Sequence, residues 1–131
     1  MDDAAMERAL GLLGPLEARL MRAVWSGQTV QPFVVRDVLG AAPNLAYTTV
    51  MTTLNRLASK GLLRVAEAPG QRAYRYEAAI TPTEFLDATS REHVTRLFDQ
   101  FGDSVIPALA ECLRRLAPDQ RDRLRRLMEC A

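Results

Sequence analysis

Hydrophobic positions in the first half of the chain recur at about 100° per residue, the spacing of helices with one buried side. Leu13, Leu16, Leu20, Met21, Val24 and Trp25 form the first stripe. Gly14-Pro15 opens this helix and Ser26-Gly27 ends it, with Glu17, Arg19 and Arg22 read as facing out and Trp25 as a core anchor. Residues 2–11 form a short leader ahead of it, and Gln28-Thr29-Val30 reads as a small strand. A second helix is expected from Pro32 to Gly40, with Phe33, Val34, Val38 and Leu39 inward and Arg36 and Asp37 outward. The breaker cluster from Gly40 to Asn44 precedes a third helix, for which Asn44 is the expected N-cap and Gly61 the stop. There the period shortens to two. Residues 62–67 read as a strand, Ala68-Pro69-Gly70-Gln71 as a turn, and residues 72–77 as the returning strand. Arg72, Tyr74 and Tyr76 alternate with Ala73, Arg75 and Glu77 along it.

Helical spacing resumes at Thr81-Pro82-Thr83-Glu84, where Thr81 caps, Pro82 takes the first helical position and Glu84 reaches back. That helix carries Phe85, Val94, Leu97, Phe98 and Phe101 and is broken by Gly102-Asp103-Ser104. Another runs from Val105 to Leu116, with Ile106, Leu109, Leu113 and Leu116 inward. A last one starts at Ala117-Pro118-Asp119 and bears Leu124, Leu127 and Met128. Three short helices bury little surface by themselves. They either fold back on their own domain or, as favoured here, pack against the same helices of a second chain. The expected dimer contacts are Phe85, Leu97, Phe98, Phe101, Leu109, Leu113, Leu116, Leu124 and Leu127. The fold class is mainly α with a small β-hairpin: a winged helix-turn-helix domain over residues 1–79 and a helical dimerisation domain over residues 80–131.

Composition alters this picture at one helix. Between Tyr47 and Lys60 the apolar side carries Tyr47, Val50, Met51, Leu54, Leu57 and Ala58. The other side carries Thr48, Thr49, Thr52, Thr53, Asn55, Arg56, Ser59 and Lys60, with no acid among them. A solvated helix face ordinarily mixes both signs of charge. β-Branched threonines are also poor helix formers. A DNA major groove accounts for both features. It admits a helix, hydroxyls and amides meet phosphates and base edges, and Arg reads guanine. The other reading is an exposed Thr-rich helix with no ligand. The order helix, turn, polar helix, hairpin favours DNA, with the helix at about residues 45–60 in the groove and the wing at residues 62–77 on the backbone. Arg72, near the hairpin tip, is placed to rest on phosphate or reach a minor groove.

The net charge of +1 does not itself point to nucleic acid, but its distribution does. From Gln28 to Tyr76 the cations Arg36, Arg56, Lys60, Arg64, Arg72 and Arg75 face only Asp37 and Glu67. Positive charge thus gathers where the Thr-rich helix lies. No apolar run is long enough to span a bilayer, and Met1-Asp2-Asp3 lacks a secretory leader, so the expected location is the cytoplasm. Cys112 and Cys130 read as free thiols, and the lone His93 as a surface or packing residue. No catalytic set, phosphate loop, metal cluster or cofactor motif is present, and an enzyme is the least favoured class.

Leu13-Gly14-Pro15-Leu16-Glu17 with Trp25, Ala46 to Leu54 with Arg56-Leu57 and Lys60-Gly61, and Arg72-Ala73-Tyr74-Arg75-Tyr76 resemble the penicillinase-repressor family of BlaI/MecI/CopY type. The resemblance implies a homodimeric repressor on a palindromic double-stranded operator, with Thr48, Thr49, Thr52, Thr53 and Arg56 on the groove-facing helix and Arg72 on the wing. Asn55 and Lys60 join them as DNA-binding candidates. In the beta-lactam branch it also implies a membrane sensor that leads to cleavage of the dimerisation domain at an Asn-Phe bond. The nearest match here is Gln100-Phe101. The copper branch uses a C-terminal cysteine cluster that two cysteines do not supply. The alternative from another class is a winged-helix protein–protein adaptor without operator binding.

Overall fold

The structure, a computed structural model, describes residues 3–66 and 74–130. Contacts divide the chain into two compact units, Met1–Thr89 and Ser90–Ala131.

The first unit begins with α1 (Asp3–Leu10) and α2 (Pro15–Trp25). The leader is a packed helix: Met6, Ala9 and Leu10 are buried, and the Glu7 carboxylate pairs with Arg22 across to α2. α2 starts where Gly14-Pro15 predicts, because proline's missing N–H is not needed in the first turn. The next helix is shorter than its sequence pattern. α3 spans only Val35–Val38 and passes into a 3-10 turn at Leu39–Ala41. Phe33, Val35 and Val38 are the buried side chains, with Val34 and Leu39 half-buried. The expected strand at Gln28-Thr29-Val30 does not form. The pairing occurs instead at Phe33, whose N–H donates to the Tyr76 carbonyl at 2.9 Å and whose carbonyl accepts from the Tyr76 N–H at 2.7 Å.

α4 (Tyr47–Ser59) is capped by Ala46 and not by Asn44, with no side-chain cap bond. It ends in a hydrogen-bonded reversal. Gly61 adopts φ 85°, the left-handed region that favours glycine, and its N–H and that of Leu62 return to the carbonyls of Ala58 and Leu57. β1 (Leu63–Ala66) and β2 (Arg75–Ala78) pair antiparallel in the register Leu63↔Ala78, Arg64↔Glu77, Val65↔Tyr76. The intervening segment, which holds Arg72, lies outside the described residues. The core of this unit is one cluster from α1, α2, α3, α4 and the hairpin, including Leu20, Met21, Phe33, Val50, Leu54, Leu57 and Tyr76, each no more than 1% exposed.

α5 (Pro82–Phe101) begins with the reciprocal cap read from the sequence: Thr81 N–H donates to Glu84 Oε1 at 3.0 Å and Glu84 N–H donates to Thr81 Oγ1 at 3.1 Å. Its first turns belong to the first unit, where Phe85 packs on Trp25 with ring centroids 6.2 Å apart. Trp25 also donates its indole N–H to the Ile80 carbonyl at 3.0 Å. The second unit holds the rest of α5, a 3-10 turn at Gly102–Ser104, α6 (Val105–Arg114) and α7 (Pro118–Glu129). Among its described residues only Val105 is a buried hydrophobic.

Candidate functional site

α4 is held by its apolar side. Val50, Leu54 and Leu57 are fully buried, which leaves the opposite side of the helix open. Thr48, Thr49, Thr52, Asn55, Arg56 and Ser59 are all exposed. The separation inferred from residue type has two exceptions. Thr53 is only 5% exposed, and its hydroxyl donates to the Thr49 carbonyl at 2.9 Å. It sits three residues after Val50 and four before Leu57, on the core side of α4. Tyr47, placed on the apolar side by its ring, is 48% exposed because the helix begins there beyond the edge of the core.

Two polar candidates already have partners within the protein. Asn55 Oδ1 accepts the Tyr76 hydroxyl at 2.6 Å, which ties the exposed face of α4 to the returning strand. Burial, with the neighbouring tyrosines, pushes the Tyr76 phenol above its ordinary range, so it stays a neutral donor. This bond turns the Asn55 carbonyl oxygen inward and leaves its amide nitrogen as the outward group. Lys60, expected to contact DNA, is committed elsewhere. Its Nζ donates to both carboxylate oxygens of Glu17, at 2.9 and 3.1 Å.

Glu17, like Thr53, lies on the face opposite to the one its residue type suggests. Expected on the outer face of α2, it is 7% exposed. Its Oε1 also accepts the Gly14 N–H at 3.2 Å, the return bond of a glutamate at the third helical position. Burial works against its charge, but Lys60, the Gly14 N–H and the field of Arg56 outweigh that and hold the carboxyl below the usual carboxylate range. The start of α2 and the outer face of α4 thereby frame a shallow cleft of about 460 Å³, lined by Gly14 to Glu17 on one wall and by Thr48, Thr49, Thr52, Arg56 and the edge of Thr53 on the other. Such a cleft offers hydroxyl donors and acceptors, one guanidinium and a neutralised carboxylate. It contains no nucleophile–base pair.

The expected dimer contacts fall into two groups. Phe85 is taken up by Trp25 inside the first unit, because α5 docks its first turns there. On the second unit Leu97, Phe98, Phe101, Leu113 and Leu127 are exposed, while Leu109, Leu116 and Leu124 are half-buried. Val94, Ile106 and Met128 are exposed as well. Cys112 and Cys130 are free, exposed thiols. Among the described residues, no helix is long and apolar enough to cross a membrane.

The sequence profile of the family described as penicillinase repressor matches residues 13–130. The transcriptional regulator BlaI of Mycobacterium tuberculosis, strains CDC 1551 / Oshkosh and ATCC 25618 / H37Rv, is 36% identical over 119 residues, covering 88% of this chain and 82% of the relative. Among solved structures, Bordetella bronchiseptica BpsR aligns at TM-score 0.45 and 16% identity, over 86% of this chain and 92% of that one.

Proposed function

This chain belongs to the penicillinase-repressor family, whose members are transcriptional regulators and not enzymes, and on that premise we propose that it is a homodimeric, sequence-specific repressor that lays α4 in the major groove of a palindromic operator. The observation that carries this reading is the exposed, acid-free side of α4. Thr48, Thr49, Thr52 and Arg56 stand on it with their backs to a fully buried apolar stripe, so the helix is rigid where it would meet base edges. Arg56 is the base reader. Asn55 presents its amide nitrogen from the same side, and Arg72 is assigned to the backbone or minor groove from its place in the sequence between the two strands.

Dimerisation is assigned to the second unit. Leu97, Phe98, Phe101, Ile106 and Leu113 are too many large exposed apolar side chains for a lone protomer of this size. A second copy covers them and sets two α4 helices about one helical turn of DNA apart or a multiple of it. A regulator of this kind acts in the cytoplasm.

Arg56→Ala is the direct test. If Arg56 reads a guanine, the variant loses about 1–3 kcal/mol of operator binding per half-site and relaxes selectivity at one base pair of each. The site is selected from a random duplex pool by the parent protein, and affinities are measured by fluorescence anisotropy. A variant that binds selected and random duplexes as the parent does overturns the groove assignment. A parent that enriches no sequence favours the adaptor reading.

A further inference from the structure

Resting on the operator-binding reading above, we propose that Glu17 is a positioning residue for DNA selectivity: it keeps Lys60 off the phosphates and holds Arg56 at the cleft where it reads bases. Glu17 projects from α2, yet the side chains that compensate its charge belong to the segment that faces DNA. Lys60 caps the end of α4 and grips both carboxylate oxygens, and Arg56, one turn earlier, lines the same cleft. The Glu17 side chain is only 9% exposed, while the Lys60 side chain is 48% exposed, so the lysine lies along the surface with its head bent back to the acid.

The arrangement matters because phosphate attraction is blind to sequence. Every cation released to the backbone strengthens binding to any duplex and dilutes discrimination. A lysine free at the end of α4 would be such a cation. The acid opposes this, since pulling Lys60 away would leave a largely buried carboxylate with the Gly14 N–H and the field of Arg56 as its remaining compensation, which costs stability. The field of the same carboxylate also reaches Arg56 across the cleft and favours a guanidinium that stays on the cleft. Random DNA therefore meets a surface with one usable cation fewer, while the operator still finds Arg56 in place.

Glu17→Gln isolates this role. The amide keeps an oxygen for the Gly14 N–H, so the start of α2 is preserved, and only the charge is lost. The parent and the variant are titrated with a random-sequence duplex pool and with the duplex that the parent selects from it, across a series of salt concentrations. The expected result is tighter binding of random DNA. Each further phosphate contact steepens the log–log salt slope by about 0.9 and amounts to as much as about eightfold at about 0.1 M salt, so a dimer that frees one lysine per protomer steepens by about 1.8. Binding to the selected duplex gains less or falls, so the ratio of the two affinities drops. Adding Lys60→Met to Glu17→Gln returns the slope to that of the parent. A brace with no role in selectivity gives another outcome: both affinities fall together with the melting temperature, or neither the slope nor the ratio moves. Either result overturns the proposal while leaving operator binding intact. A parent that enriches no site from the pool overturns the operator reading itself, and this inference with it.

Discussion

Neighbouring threonines on α4 provide an internally controlled test of which way the helix faces. Thr52 and Thr53 make the same bond one residue apart: each hydroxyl donates to the carbonyl four residues earlier, at 2.8 Å to Thr48 and 2.9 Å to Thr49. Replacing either by valine removes the same hydroxyl, keeps the β-branch and leaves the carbonyl with its helical N–H. Differences between the two variants therefore report orientation alone. Thr53 is 5% exposed, so its valine exchanges a hydrogen bond of about 1 kcal/mol for a buried methyl of about 0.8 kcal/mol, and stability changes by less than about 1 kcal/mol either way. Operator affinity should fall much less than for Thr52→Val, because this hydroxyl is turned to its own helix. Thr52 is exposed, so its valine leaves stability within about 0.5 kcal/mol. It removes a hydroxyl from the DNA face of both protomers. At about 0.5–1.5 kcal/mol per hydroxyl, the dimer loses about 1–3 kcal/mol, a weakening of about 5- to 150-fold in Kd. Anisotropy with the selected duplex measures the affinity, and circular dichroism melting supplies the stability. If Thr53→Val weakens DNA binding as much as Thr52→Val with an unchanged melting temperature, α4 does not present the face described here.

Three further outcomes are expected. Gly61→Ala forces a side chain into the left-handed region at φ 85° with nothing nearby to clash, so urea denaturation should show a loss of about 1–2 kcal/mol of purely conformational origin. An unchanged midpoint would mean that the reversal after α4 relaxes freely. The carboxyls of Glu17 and Glu84 lie below their ordinary range in the folded state, the first through Lys60, Gly14 and Arg56 against burial, the second through the Thr81 N–H and hydroxyl. Their contribution is therefore complete above the unfolded carboxylate range and is lost as pH falls through the folded values, so the melting temperature should drop in acid, and less steeply in Glu17→Gln. Phe101→Glu puts a charge at a ring that is 55% exposed in one protomer. Sedimentation should show a monomer that binds the selected duplex weakly, and a variant still dimeric at micromolar concentration would exclude Phe101 from the interface.

Local signals were more legible in the chain than long-range ones, although the cap expected at Asn44 falls at Ala46. The cap at Thr81-Pro82-Thr83-Glu84 and the glycine stop at Gly61 depend on a few successive residues, and both form as their chemistry requires. The strand placed at Gln28-Thr29-Val30 instead forms its bridge at Phe33, because the partner Tyr76 is over forty residues away and only the folded hairpin selects the register. Phe85 follows the same rule. Its spacing on α5 suits a dimer contact, yet the ring of Trp25 reaches it first.

Glu17 and Thr53 go further, because their positions were legible and their chemistry hid them. Glu17 falls four residues after Leu13, three before Leu20 and four before Met21; Thr53 falls three after Val50 and four before Leu57. Spacing alone puts both on the buried stripes, and residue type alone puts both outside. Spacing prevails because the backbone decides where a side chain begins, and a polar group on the inner side then needs an internal partner. Thr53 has one four residues back along its own helix and needs nothing else. Glu17 must take a cation from another element, and those within reach come from α4. A polar residue that breaks an apolar stripe is thus a pointer to what lies across the interface. Here it points from the start of α2 to the helix assigned to the operator, where Glu17 holds the cation that would otherwise reach phosphate.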